Sequence, residues 1–174
     1  MSEARWFAVA VRVNHEKTVA TTLTSKGYEV FLPTYRVRRA WSDRIKEVEL
    51  PVFAGYVFCR SDLSRQSAPV VATPGVVRIV GFGGRAIPVE NHEIEAVRRM
   101  VDSGLAVEPL SSFAVGQHVR IAHGPLANLE GTLIEVRKRH QFVVSVSLLQ
   151  RALAVTVDMA WILPVAPAVV ARCA

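Results

Sequence analysis

Cysteine is nearly missing from this chain: Cys59 and Cys173 are the only two in 174 residues, and they stand far apart, the second almost at the end. A disulfide framework is therefore not expected, because such scaffolds carry four or more clustered cysteines. Long apolar runs are missing too. Arg, Glu, Gly or Pro interrupts each hydrophobic stretch well short of the roughly 18 residues that cross a bilayer, and Met1 to Arg12 lacks a basic segment followed by a long apolar one. These absences predict a cytoplasmic chain without membrane contact. The five histidines (His15, His92, His118, His123, His140) form no H-E-x-x-H, and no Cys-x-x-Cys occurs, so no metal and no cofactor are expected. No serine stands in G-x-S-x-G, and the acids are scattered over predicted helices and loops instead of pairing at strand ends. The sequence does not read as an enzyme.

What is present belongs to a folded protein: 51% of residues are hydrophobic and 21% charged. The net charge of +6 permits attraction to nucleic acid or another acidic surface without requiring it. Residues 1 to 102 hold fifteen Lys and Arg against eleven Asp and Glu, and residues 103 to 174 hold six against four, so neither part is a polycation.

Along the chain, Trp6 to Val11 reads as a strand, and Asn14 is placed to cap a helix with Val19, Ala20 and Leu23 on one face, stopped by Gly27. Glu29 to Phe31 returns to a strand. A basic excursion follows Pro33 and reads as a hairpin or mobile loop. Val52 to Cys59 is apolar and aromatic throughout, which predicts a central strand buried on both faces, and Val76 to Val80 is a second candidate of the same kind. Asn91 is placed to cap a helix in which Ile94, Val97 and Val101 share a face while Glu95 and Arg99 lie on the wet side, with Gly104 as its stop. The first unit, 1 to 102, is thus a mixture of strands and helices around one sheet. Residues 103 to 112, with Pro109 and the Ser111–Ser112 pair, read as a linker. From 113 to 165 five short runs (119–121, 131–136, 142–146, 154–157, 161–163) separated by turns predict a small antiparallel barrel, and 166 to 174 reads as a flexible tail.

Three features invite a functional reading. Gly81-Phe82-Gly83-Gly84-Arg85-Ala86 matches G-x-G-x-x-A, but Ile87-Pro88-Val89 follows where a dinucleotide site needs a helix N-terminus, so a glycine turn is expected. Trp6, Phe53, Tyr56 and Phe58 can be core aromatics or a docking patch; strand alternation would place Phe53 and Tyr56 on opposite faces, and Tyr56 and Phe58 on the same one. The basic residues between Arg36 and Lys46, including Arg38, Arg39 and Arg44 with Trp41 among them, can hold phosphates and stack on a base. They can equally be a solvated hairpin whose Asp43, Glu47 and Glu49 offset the charge.

The order of the motifs carries more than any one of them. Trp6 in the first strand, Val52-Phe53-Ala54-Gly55-Tyr56-Val57-Phe58, then Thr73-Pro74-Gly75-Val76-Val77 before Gly81-Phe82-Gly83-Gly84, is followed after the linker by Val115 through Gly131, a KOW motif. Over residues 5 to 165 the chain resembles the NusG family. Lys26-Gly27-Tyr28-Glu29-Val30-Phe31-Leu32-Pro33 and Trp41-Ser42-Asp43-Arg44 resemble its specialised paralogues of the RfaH and UpxY type, which act on polysaccharide and other long operons. The resemblance implies an α+β protein: an N-terminal domain with an antiparallel sheet flanked by helices, and an SH3-like β-barrel of KOW type.

It implies a non-catalytic, monomeric transcription elongation or antitermination factor. An exposed apolar patch would bind the clamp helices of the largest RNA polymerase subunit through Phe53, Tyr56 and Phe58 with Ala10 beside them. Arg12, His15 and Thr73 would touch non-template DNA, and Leu148, Leu149 and Arg151 match the barrel loop that receives a ribosomal protein or Rho. Ala54 stands for the usual proline, Gln66 to Pro69 lacks the threonine run that grips the second polymerase subunit, and Leu148–Leu149 replaces an aliphatic–aromatic pair. The β-branched and aromatic runs 142–144 and 155–157 predict a stable barrel rather than the helical hairpin in which RfaH stores this domain. A general RNA-binding or ribosome-associated KOW protein is the alternative function.

Overall fold

A computed structural model describes residues 3–111, 116–136 and 138–165. Ser112, the predicted start of the barrel at 113–115 and the tail 166–174 lie outside the described residues. The central strand of the first sheet, β1 (Arg5–Val11), is buried on both faces and pairs with three antiparallel neighbours. These are β5 (Tyr56–Ser61), β6 (Val76–Ile79) and β9 (Pro88–Val89), with β2 (Glu29–Phe31) beyond β5. Alternation along β1 and β5 sends Phe7, Val9, Val57 and Cys59 to one face, where Val19 and Leu23 of α1 (Glu16–Ser25) and Val70 of α2 (Leu63–Val71) cover them. Trp6, Ala8 and Phe58 point the other way, toward Ile94, Val97 and Met100 of α3 (Asn91–Asp102).

Two hairpins stand outside that sheet: β3 (Thr34–Trp41) with β4 (Arg44–Pro51), and β7 (Gly81–Phe82) with β8 (Arg85–Ala86). Gly83 and Gly84 join the latter pair, so the G-x-G-x-x-A match is a tight turn and not a helix start. The second sheet has the order β10 (Val107–Leu110), β14 (Arg151–Thr156), β13 (Arg139–Val146), β12 (Glu130–Val136), β11 (Gln117–Ile121), β15 (Ile162–Pro164), antiparallel throughout. Its inward face is Val119, Ile121, Phe142, Val144, Leu153 and Val155. Gly131 has no room for a side chain: a Cβ there would lie 2.5 Å from the Val143 carbonyl oxygen and 2.7 Å from the Phe142 ring. Gly131→Ala is expected to lower barrel stability by about 1–3 kcal/mol in denaturant unfolding.

Five expectations need correction. Val52 to Cys59 is not one strand: Gly55 takes φ +82° and breaks it, leaving Phe53 in a turn before β5. Alternation therefore does not separate Phe53 from Tyr56, and both join the same cluster. Val76 to Val80 is an edge strand with Val77 58% exposed, not a central one. Residues 107–110, read as linker, pair with β14, and Pro109 is tolerated because β10 is an edge. Neither helix is capped by its asparagine: Asn14 lies at φ +68°, while His15 and Glu90 occupy the cap positions without a side-chain bond.

Candidate functional site

The turn that carries Phe53 is built from a buried acid. Glu16, 3% exposed in the first turn of α1, accepts the Gly55 N–H at 2.8 Å, and Val11 N–H donates to the Gly55 carbonyl at 2.8 Å. Phe53 thereby meets Phe58 edge-on at 5.7 Å, and Phe58 stacks on Phe31 at 6.1 Å. Phe53 and Phe58 are 1% and 0% exposed with the second sheet in place. Tyr56 and Ala10 are half-buried and pack against the cluster from its rim.

The cover over this face is the second sheet. Buried residues of both sheets form one continuous apolar cluster, with α3 between them. Arg99, expected on the wet side of α3, instead donates from Nη2 to the Ala127 carbonyl at 2.6 Å; Glu95 pairs with Arg98 at 3.9 Å. Buried Glu93 accepts the Ser147 N–H through Oε1 at 3.0 Å. Both side chains thus tie α3 to barrel loops by charge-assisted bonds.

The barrel loop singled out by sequence is part of the same contact. Leu148 and Leu149, in a 3₁₀ turn (Ser147–Leu149), pack on the shared cluster, and the Arg151 guanidinium lies over the Tyr56 ring at 5.5 Å. The two surfaces nominated for partners therefore cover each other. Sequence reasoning missed Glu16, Glu93 and Arg99, because an acid or base in a helix carries no mark of a partner dozens of residues away.

The remaining nominated residues divide. Arg12 and His15 are exposed and border the 73–75 turn, through Arg12 N–H to the Gly75 carbonyl at 2.9 Å. Thr73 is 2% exposed, and its hydroxyl donates to the Pro69 carbonyl at 3.0 Å while accepting from Lys26 Nζ at 2.8 Å, so it offers nothing outward. Lys26 is the exposed cation beside it. On the hairpin, Arg38, Arg39 and Arg44 are all exposed, with Arg38 3.5 Å from Glu47.

Among the described residues no three His, Cys, Asp or Glu side chains gather as a metal site. Burial pushes the Cys59 thiol up to about 11, which keeps it protonated at neutral pH. A cleft of about 540 Å³ lies beside β6, lined by residues including Arg78 and Arg85. Among the described residues no helix is long and apolar enough to cross a membrane.

Comparison with known proteins addresses the whole chain. Residues 4–98 match the family described as Transcription termination factor nusG. The Transcription termination/antitermination protein NusG of Thermus thermophilus is 30% identical over 88% of this chain and 94% of its own length. That of Escherichia coli strain K12 is 31% identical over 91% and 96%. A solved structure described as the domain interaction in Thermotoga maritima NusG aligns over 94% of this chain and 98% of its own with TM-score 0.57 at 22% identity, which supports the fold. The α+β fold, the motif order and these full-length matches agree: the chain belongs to the NusG family of transcription factors.

Proposed function

We propose that the chain promotes processive transcription by binding the clamp helices of RNA polymerase, and that it is non-catalytic. The observation that carries this reading is the aromatic face of the first sheet, with half-buried Tyr56 and Ala10 above Phe53 and Phe58. A rigid apolar face with an aromatic rim suits an amphipathic helical hairpin. Phe53 and Phe58 act from within, by holding the face flat; Tyr56 and Ala10 make the contact once the barrel moves aside. Binding the elongation-competent polymerase more tightly than the paused one shifts the population toward elongation.

The division into two units follows as part of the proposal: the barrel, with β10 in its sheet, leaves as a unit, Leu148, Leu149 and Arg151 then face a ribosomal protein or Rho, and Arg12, His15 and Lys26 lie toward exposed non-template DNA. Tyr56→Ser is expected to weaken polymerase binding about thirtyfold with the thermal midpoint nearly unchanged; unaltered binding would refute the clamp reading. Service to particular long operons, as in the specialised paralogues, is the finer part. It predicts that deleting the gene lowers distal transcript coverage in a few operons, whereas a genome-wide change would assign a general role.

A further inference from the structure

The β3–β4 hairpin pairs with neither large sheet, and its register sorts charge by face. Residues opposite each other on a two-stranded ladder share a face. One face sets Arg36 opposite Glu49 and Arg38 opposite Glu47, and is balanced. Its acids are engaged: Glu47 with Arg38 at 3.5 Å, and Glu49 with the Thr34 hydroxyl at 2.6 Å and Lys17 at 3.6 Å. The Thr34 hydrogen bond, aided by Lys17 and Arg36, holds the Glu49 carboxyl below its ordinary range.

The other face sets Arg39 opposite Lys46 and Trp41 opposite Arg44, with no acid on it. Among the described residues these three cations make no ion pair, and Asp43 makes none from the Ser42–Asp43 turn at the tip. Trp41 is 65% exposed. Toward the root the same face changes to Tyr35, Val37, Val48 and Leu50, all half-buried, so the body of the protein anchors only its inner half.

A merely solvated hairpin does not account for this arrangement. Like charges directly opposite weaken a ladder, and a two-stranded ribbon has little stability to spare. An indole left in water wastes a large apolar surface. A phosphate chain laid along the face relieves the first cost, and an unpaired base over Trp41 relieves the second.

We propose that Arg39, Trp41, Arg44 and Lys46 form a binding site for single-stranded nucleic acid, the cations holding phosphates while Trp41 stacks on a base. Arg38 belongs to the balanced face and is excluded from it. The site enlarges the nucleic-acid part of the function proposed above but needs no polymerase, so either reading can fail alone.

Fluorescence anisotropy with the full chain tests it, using labelled single-stranded DNA, single-stranded RNA and duplex DNA of about 15 nucleotides each. Trp41→Ala is expected to weaken single-strand binding about tenfold. Arg39→Ala with Lys46→Ala should flatten the slope of log affinity against log salt by about 1.4, the loss of two phosphate contacts. Arg36→Ala with Arg38→Ala, on the opposite face, should leave affinity within about twofold. The tighter of the DNA and RNA strands identifies the source of the ligand, and either supports the site. Equal losses from both faces, no binding at low salt, tighter duplex binding that ignores Trp41→Ala, or displacement by polyglutamate at matched charge would each overturn it.

Discussion

Cutting both ties between α3 and the barrel, with Glu93→Ala and Arg99→Ala together, is expected to raise the affinity of the chain for RNA polymerase by about a hundredfold. In the docked state each replacement strands a backbone group: the Ser147 N–H loses its carboxylate and the Ala127 carbonyl its guanidinium. Bonds to charged groups contribute about 1.5–3 kcal/mol each, and in the undocked state water satisfies the stranded groups. Two losses at the low end make about 3 kcal/mol, roughly a hundredfold rise in the undocked fraction, and apparent affinity follows that fraction until it saturates. Titration of polymerase core enzyme gives the affinity, and small-angle scattering gives the separation of the two sheets. Glu93→Gln retains an acceptor for Ser147 and should leave both quantities close to the parent. A double variant that opens without binding polymerase more tightly would show that the covered face is not the polymerase site.

Phe53→Ala is expected to lower stability by roughly 3–5 kcal/mol in denaturant unfolding, and to abolish polymerase binding only as a consequence. Phe53 is 1% exposed, set edge-on to Phe58 on a turn that Glu16 and Val11 hold at its backbone. Its ring is packed within the cluster shared by both sheets, and removing it leaves a cavity there. Tyr56→Ser, by contrast, removes a half-buried ring at the rim. The two variants thus separate a residue that builds the face from one that makes contact. A Phe53→Ala protein that remained fully stable would mean that the turn rearranges to close the gap.

The short apolar strands were legible from the sequence: β1, buried on both faces, reads as a continuous apolar run, and β11 alternates because one buried face imposes period two. Single residues with unusual backbone hid the rest. Gly55 turned what read as a strand into a turn plus a strand, and Pro109 disguised an edge strand as linker. The hairpin's division of charge was in principle readable, since a two-residue turn at Ser42–Asp43 fixes the register, but summing Asp43, Glu47 and Glu49 against the arginines concealed it. The candidate site was legible only in outline: the motif named aromatics that do gather in one cluster, though not on the faces alternation predicts, whereas the barrel's seat upon them rests on Glu93, Arg99 and Arg151, whose partners lie in other parts of the chain.

That seat has a thermodynamic corollary. Because Tyr56 and Arg151 conceal one another, a ligand for either surface must first part the same contact, and the free energy of parting is spent once for both. The first ligand to arrive therefore spares the second that expense. By linkage the factor is mutual: however strongly a guest on the Leu148–Leu149 loop aids a guest on the Tyr56 rim, it is aided equally in return. If the two surfaces take guests as proposed, they behave as cooperative sites, and the degree of cooperation is set by the stability of the closed form alone.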